Sequence, residues 1–223
     1  MTLMKKIRII TMVVGLFAVT VMLAGALKST DNQTPYGIQT QKDSIKQNLT
    51  ADYEDARYRL VMEVDKYITG VSPKSRIDPF LMVDLCKKYN VDIRFVLAQG
   101  QIESHFATKG TASRTLSIFN VGAYNGHSSE RQRRNGFGYT NPNESIEPYL
   151  QLITNDYMTS GKTEIDLMRN FVNDSGMRYA SNKNYESMLK SVYNHINSLE
   201  DFRIAYENYL KSHDKLYNYN EYA

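Results

Sequence analysis

Apolar and polar positions divide the chain into stretches of different character. Lys5, Lys6 and Arg8 precede an uncharged run from Ile9 to Leu27, after which residues 28–44 turn polar around a Pro35-Tyr36-Gly37 turn signal. From about residue 45, Tyr53, Leu60, Val61, Val64, Tyr67 and Ile68 recur at helical spacing up to Gly70 and Pro73, which predicts a helix with one apolar face. Asp78 followed by Pro79 predicts the start of a second helix, with Leu81, Leu85, Cys86 and Tyr89 turned inward and Asn90 at its end.

A third helix is predicted from Asp92. At 100° per residue Ile93, Val96, Leu97 and Gly100 share one side, while Phe95, Ile102 and Phe106 share nearly the opposite one. A helix that is apolar on two faces has to be buried. Glu103 projects from its last turn, on the shoulder of Val96 and Gln99, so its carboxylate is expected at the edge of the core.

The helical period breaks over residues 107–142, where Gly110, Gly122, Gly126, Gly136 and Gly138 predict a small loop-rich or short-stranded lobe. Helical patterning resumes after Asn143, again after a Thr163/Asp166 pair that reads as a capping box, and from about residue 183. The last of these carries Tyr185, Met188, Leu189, Val192, Tyr193, Ile196 and Leu199 on one face. The closing "SHDKLYNYNEYA" is polar and Tyr-rich, and is expected to fray.

The pattern therefore organises the chain as an N-terminal hydrophobic helix (1–27), a polar linker (28–44), one helical domain (45–200) and a Tyr-rich extension (201–223). The apolar run is long enough to cross a bilayer, and Ala24-Gly25-Ala26 offers a cleavage site, so the first segment reads as a signal peptide or a transmembrane anchor. Because the positive flank stays on the cytoplasmic side, either fate predicts an extracytoplasmic protein, membrane-anchored or secreted.

Composition narrows the chemistry. With 223 residues, 42% hydrophobic and 23% charged, the chain suits one core with appendages. A net charge of +3 and a single basic knot, "RQRR" at 131–134, give no concentrated basic face, and no nucleic-acid partner is expected. Cys86 is the only cysteine and the four histidines are scattered, so neither a disulfide nor a metal site is expected. There is no Gly-rich phosphate loop, and no cofactor is expected.

Glu103 is the residue that asks for a chemical explanation. A carboxyl at the wall of an apolar core loses solvation when it ionises, so its pKa rises and it can hold its proton near neutral pH. Such a group can protonate a glycosidic oxygen as a general acid. A glutamate paired with a nearby cation, or reaching solvent from the helix end, fits the periodicity equally well.

Four blocks bear on that choice. "LAQGQIESHFATKG" followed by "SIFNVGAYNG" resembles the LAQAxLESxxG and NNLFGI patterns of the flagellar- and autolysin-type endo-beta-N-acetylglucosaminidases, glycoside hydrolase family 73. "GFGYTNPNESIEPYLQLI" resembles that family's FRxYxSxxESxxDYxxLL through Phe137, Tyr139, Glu144-Ser145 and Tyr149, and "RYASNKNYESML" resembles YATDPxYxxKL through Tyr179-Ala180, Asn184 and Tyr185. The blocks keep the family's order over residues 78–197.

The resemblance implies a mainly α, lysozyme-like α+β fold in which a small lobe walls a cleft. It implies cleavage of peptidoglycan beside N-acetylglucosamine, with Glu103 as general acid and Tyr179 facing the cleft near it. Gln99, Phe119, Asn120, Tyr124, Asn125 and Tyr139 become the expected substrate-binding residues, Phe119 as support for the cleft floor. The family's second glutamate, in a TxEY stretch, has no evident counterpart; Glu130 is the only acid in the short lobe and the only candidate. Without a second carboxylate within about 5–9.5 Å, a one-glutamate mechanism or lytic transglycosylase chemistry becomes the alternative. A glycan-binding module without turnover is a further one, and a cell-envelope or phage assembly partner is left open.

Overall fold

The computed structural model describes residues 35–121 and 139–222. The apolar run Ile9–Leu27, and in the lobe Tyr124, Asn125, Glu130, Phe137 and the 131–134 basic stretch, lie outside the described residues. Among the described residues no helix is long and apolar enough to cross a membrane.

The architecture is mainly helical, as expected. Helix α1 (Pro35–Val71) begins ten residues before the apolar spacing does, inside the stretch read as a linker. Leu60, Val61, Val64, Tyr67 and Ile68 bury its inner face. Helix α2 (Pro79–Tyr89) starts as predicted: the Asp78 carboxylate accepts from the Phe80 and Leu81 N–H groups, and Asn90 closes the helix in the left-handed conformation that asparagine tolerates. Its buried face is Met82, Val83 and Cys86, with Leu81 exposed and Leu85 only half-buried, so the inward face is turned from the one expected.

Helix α3 (Ile93–Ser104) is enclosed on both of its apolar sides, with Ile93, Phe95–Gly100 and Ser104 buried. At its N-terminus Arg94 is sandwiched between Tyr193 and Tyr206, 5.0 and 4.6 Å from the ring centres, and its guanidinium bonds Asp92 and Asn197. That arrangement ties α3 to α7 (Tyr185–Ser198) and α8 (Glu200–Tyr222). Between α3 and α7 lie the short α4 (Ala112–Thr115), a 3-10 turn (Pro142–Ser145) running into α5 (Ile146–Leu152), a π-helical turn (Ile153–Tyr157) and α6 (Glu164–Leu167). Asp166 accepts from the Thr163 N–H and hydroxyl, as the capping pattern predicts. In α7 Tyr185, Leu189, Tyr193 and Ile196 are buried, whereas Met188, expected inward, is exposed.

The C-terminal segment corrects the sequence reading most. The stretch expected to fray is helical to Tyr222, and Phe202, Ala205 and Tyr209 of α8 are buried at spacings of three and four residues. Lys66 meets Asp201 at 3.2 Å, the Tyr53 and Tyr209 rings lie 5.7 Å apart, and the Tyr219 hydroxyl donates to the Lys42 carbonyl at 2.7 Å. The partners run in opposite senses along the chain, so α1 and α8 form an antiparallel pair. The described residues of the lobe hold none of the short strands expected there; the one antiparallel bridge among the described residues, Val172–Arg178, lies outside it.

Candidate active site

The end of α3 determines where Glu103 points. His105, Phe106 and Ala107 follow one another in the left-handed conformation, at φ 47°, 55° and 63°, a run that L-residues adopt only when their surroundings hold them. The Phe106 ring folds back over Gly100, where a Cβ would meet it at 2.9 Å, which accounts for glycine in the middle of a buried helix. Ser104 clamps the turn: its hydroxyl donates to the Ile118 carbonyl at 2.6 Å and accepts the Ala107 N–H at 2.8 Å.

Ile118 is held from the other side as well. Its N–H donates to the Ser145 hydroxyl at 3.0 Å, and that hydroxyl donates to the Pro142 carbonyl at 2.7 Å. Two buried serines on separate elements thus fix one residue, and the turn that follows it builds the cleft floor. Phe119 stacks on Tyr149 with centroids 3.7 Å apart, and its carbonyl accepts from the Tyr179 hydroxyl at 3.0 Å. Asn120, at φ 52°, directs its side-chain amide back to Glu103, 3.1 Å from both the backbone carbonyl and Oε2.

The cleft over this floor encloses about 660 Å³. Glu103, Asn120, Tyr179, Asn182 and Tyr185 line it with polar groups, and Ile102, Val121, Leu152, Met177 and Met188 supply apolar wall. Glu103 is half-buried: its Oε1 accepts from the Tyr185 hydroxyl at 2.6 Å and its Oε2 from Asn120. Burial pushes the carboxyl above its ordinary pKa, and the hydrogen bonds from Tyr185 and Asn120 pull it partway back. Among the described residues no cation contributes to the balance, and none is paired with Glu103. Among the described residues Glu103 is the one carboxylate lining the cleft, and no group of three or more His, Cys, Asp or Glu side chains is placed to hold a metal ion.

Several expected site residues fall elsewhere. Gln99, expected at the substrate, is fully buried; its Nε2 donates to the Tyr185 hydroxyl at 2.9 Å and its Oε1 accepts from the Tyr149 hydroxyl. Phe119 does line the cleft, from below, with its ring buried and stacked on Tyr149. Tyr139 is half-buried beside Glu144 and does not line the cleft. Asn120 and Tyr179 both line it. Tyr124, Asn125 and Glu130 lie outside the described residues.

Tyr185 is the contact that sequence reasoning missed. Its periodicity placed it on the buried face of α7, which is correct, and nothing in that pattern tells a packing tyrosine from one whose hydroxyl reaches an acid at the core edge. Glu144, singled out only within a motif, accepts from the Thr140 N–H and hydroxyl at 3.0 and 2.6 Å and stiffens the entry to the 3-10 turn.

A half-buried acid with its proton favoured by burial, facing a cleft with both apolar and amide lining, can protonate a leaving oxygen on a bound substrate. Residues 81–198 match a glucosaminidase family model described as mannosyl-glycoprotein endo-beta-N-acetylglucosaminidase. No curated protein and no solved structure matches the chain.

Proposed function

The chain belongs to the mannosyl-glycoprotein endo-beta-N-acetylglucosaminidase family and carries a glycoside hydrolase domain; from that premise we propose that it cuts the glycan strands of peptidoglycan beside N-acetylglucosamine, with Glu103 as general acid. One observation carries the acid assignment: Glu103 alone among the described carboxylates lines the cleft, and burial favours its protonated form. Protonation of the glycosidic oxygen by Glu103 lets the leaving sugar depart as an alcohol while positive charge builds at the anomeric carbon. Asn120 and Tyr185 hold the two carboxyl oxygens, which fixes the direction in which the proton is presented. Tyr179 lines the same cleft, held by its hydrogen bond to the Phe119 carbonyl and stacked on Phe171 at 4.6 Å, and its proposed role is to support the sugar beside the acid.

The same observation favours a one-acid route for the second half of the reaction. A retaining or inverting pair needs a second carboxylate within about 5–9.5 Å, and none among the described residues faces Glu103 across the cleft. The substrate's own acetamido oxygen, or the 6-hydroxyl in a lytic transglycosylase variant, then takes the place of that group. The localisation follows the sequence reading: the N-terminal segment exports or anchors the domain, and the substrate is met outside the cytoplasm.

Digestion of purified sacculi followed by mass spectrometry tests this reading. Fragments with reducing N-acetylglucosamine ends are expected. Release of 1,6-anhydro ends would replace hydrolysis by the transglycosylase route, and sacculi left intact across the pH range would overturn the proposal.

A further inference from the structure

Behind Glu103 the side chains form a hydrogen-bond chain whose direction is determined by its members. Tyr149 and Tyr185 are deeply buried, and burial raises both phenols well above their ordinary pKa, so each carries its proton at any working pH. The Tyr149 hydroxyl donates to Gln99 Oε1, which can only accept. The amide is thereby oriented with Nε2 toward Tyr185, where it donates to the phenol oxygen at 2.9 Å. With its oxygen engaged as acceptor, Tyr185 has one proton to give, and Glu103 Oε1 lies 2.6 Å away. The opposite amide orientation would draw the Tyr185 proton to Gln99 and leave Oε1 without a donor.

We propose that Tyr149, Gln99 and Tyr185 act as a positioning relay that delivers one committed hydrogen-bond donor to Glu103 Oε1 and so sets both the direction of its carboxyl and the pH at which it gives up its proton. Gln99 thus exchanges the substrate-binding role expected from the sequence for a role exerted through Tyr185. The relay is anchored from both sides of the core: Tyr149 on α5 is pinned by its stack on Phe119, and Tyr185 opens α7 with its ring 5.7 Å from Tyr179. Both anchors also touch the cleft floor, so a shift of the floor reaches the acid through two routes.

The sign of the effect follows from the bond. A donor on Oε1 favours the carboxylate, so the relay holds the Glu103 pKa below the level burial alone would give it. Among the described residues Glu103 is also bonded by the amide of Asn120 from the floor, and Tyr179, from the segment before α7, lines the same cleft with its hydroxyl on the Phe119 carbonyl. Arg178 also lines the cleft, and its guanidinium is engaged by both oxygens of Glu186 at 2.8 Å. Loss of the Tyr185 hydroxyl therefore raises the Glu103 pKa, and the alkaline limb of activity, which reports loss of the acid's proton, moves up with it.

The inference rests on Glu103 being the acid, and the experiment separates the two. Carboxyl 13C titration of the full-length chain in detergent reads the Glu103 pKa without reference to catalysis, its resonance assigned by its loss in Glu103→Gln. Tyr185→Phe is expected to raise that pKa, and the alkaline limb of kcat/KM, by about one pH unit, the size that one hydrogen bond to a charged group carries. Tyr149→Phe, which frees the Gln99 amide to turn, is expected to shift both the same way by a smaller amount, and serves where Tyr185→Phe does not fold. Activity lowered equally at all pH with the Glu103 resonance titrating as in the wild type would overturn the relay and reduce these residues to packing. A shifted resonance with an unmoved limb would uphold the relay and refute Glu103 as the acid.

Discussion

Replacing Ser104 by alanine removes one hydroxyl and is expected to destabilise the protein out of proportion to the atoms lost. That hydroxyl is buried, donates to the Ile118 carbonyl at 2.6 Å and accepts the Ala107 N–H at 2.8 Å. Alanine leaves both backbone groups without their partner, and each such orphan costs about 1–3 kcal/mol. Two orphans sum to about 2–6 kcal/mol; partial relaxation of the turn keeps the loss in the lower half, about 2–4 kcal/mol, a large share of a total stability of about 5–15 kcal/mol. Urea unfolding followed by circular dichroism measures it, with the slope against urea unchanged if the loss is confined to the folded state. Because Ser104 also carries the left-handed turn and the residue that leads to Asn120, activity of the folded fraction should fall as well. A stability change below about 0.5 kcal/mol, the scale of a surface substitution, would refute the clamp.

Three further outcomes follow from the same geometry. The desolvated Glu103 carboxyl titrates above the ordinary glutamate range, so hydrolysis should hold on the acid side and decline as pH rises through that raised value; a pH–rate profile with its alkaline limb at the ordinary glutamate value would contradict this. Truncation after Leu199 removes Phe202, Ala205 and Tyr209 from the core and uncovers the inner face of α1; loss of a cooperative thermal transition is expected, and a truncated chain with an unchanged melting temperature would show that α8 adds nothing. The Cys86 thiol, fully buried and pushed well above its ordinary pKa, should react with a disulfide reagent in denaturant and resist it in the folded protein, whereas fast labelling of the native chain would place it at the surface.

The sequence made the scaffold of the site legible and left its wiring hidden. Asp78-Pro79 and Thr163/Asp166 announced their helix starts because caps are local chemistry, readable within four residues. The two apolar faces of α3 announced its burial for the same reason, and with it the odd position of Glu103. The phase of α2 was misread because Leu81 outweighs Met82 and Val83 only until the neighbouring helices decide which side is covered. The final helix escaped notice because its polar end dominates the pattern, while its hold on α1 depends on Phe202, Ala205 and Tyr209 meeting residues some 150 positions earlier.

The relay could not be read at all. Gln99, Tyr149 and Tyr185 stand 50 and 36 residues apart, each looks like core or motif alone, and only the fold brings the three polar atoms into line. The paired serines share that property: Ser104 and Ser145 were visible as motif letters, and their joint grip on Ile118 was not. Contacts that join distant segments carry no periodicity, so a one-dimensional pattern has nothing to record them with.

Glu103→Gln tests the central claim most directly, because it keeps the side chain's shape and removes its titrating proton. Assayed on purified sacculi beside the wild type, with folding checked by circular dichroism, the variant is expected to lose at least about a hundredfold in muropeptide release, as removal of a general acid does. A folded variant that releases fragments at the wild-type rate would contradict the account.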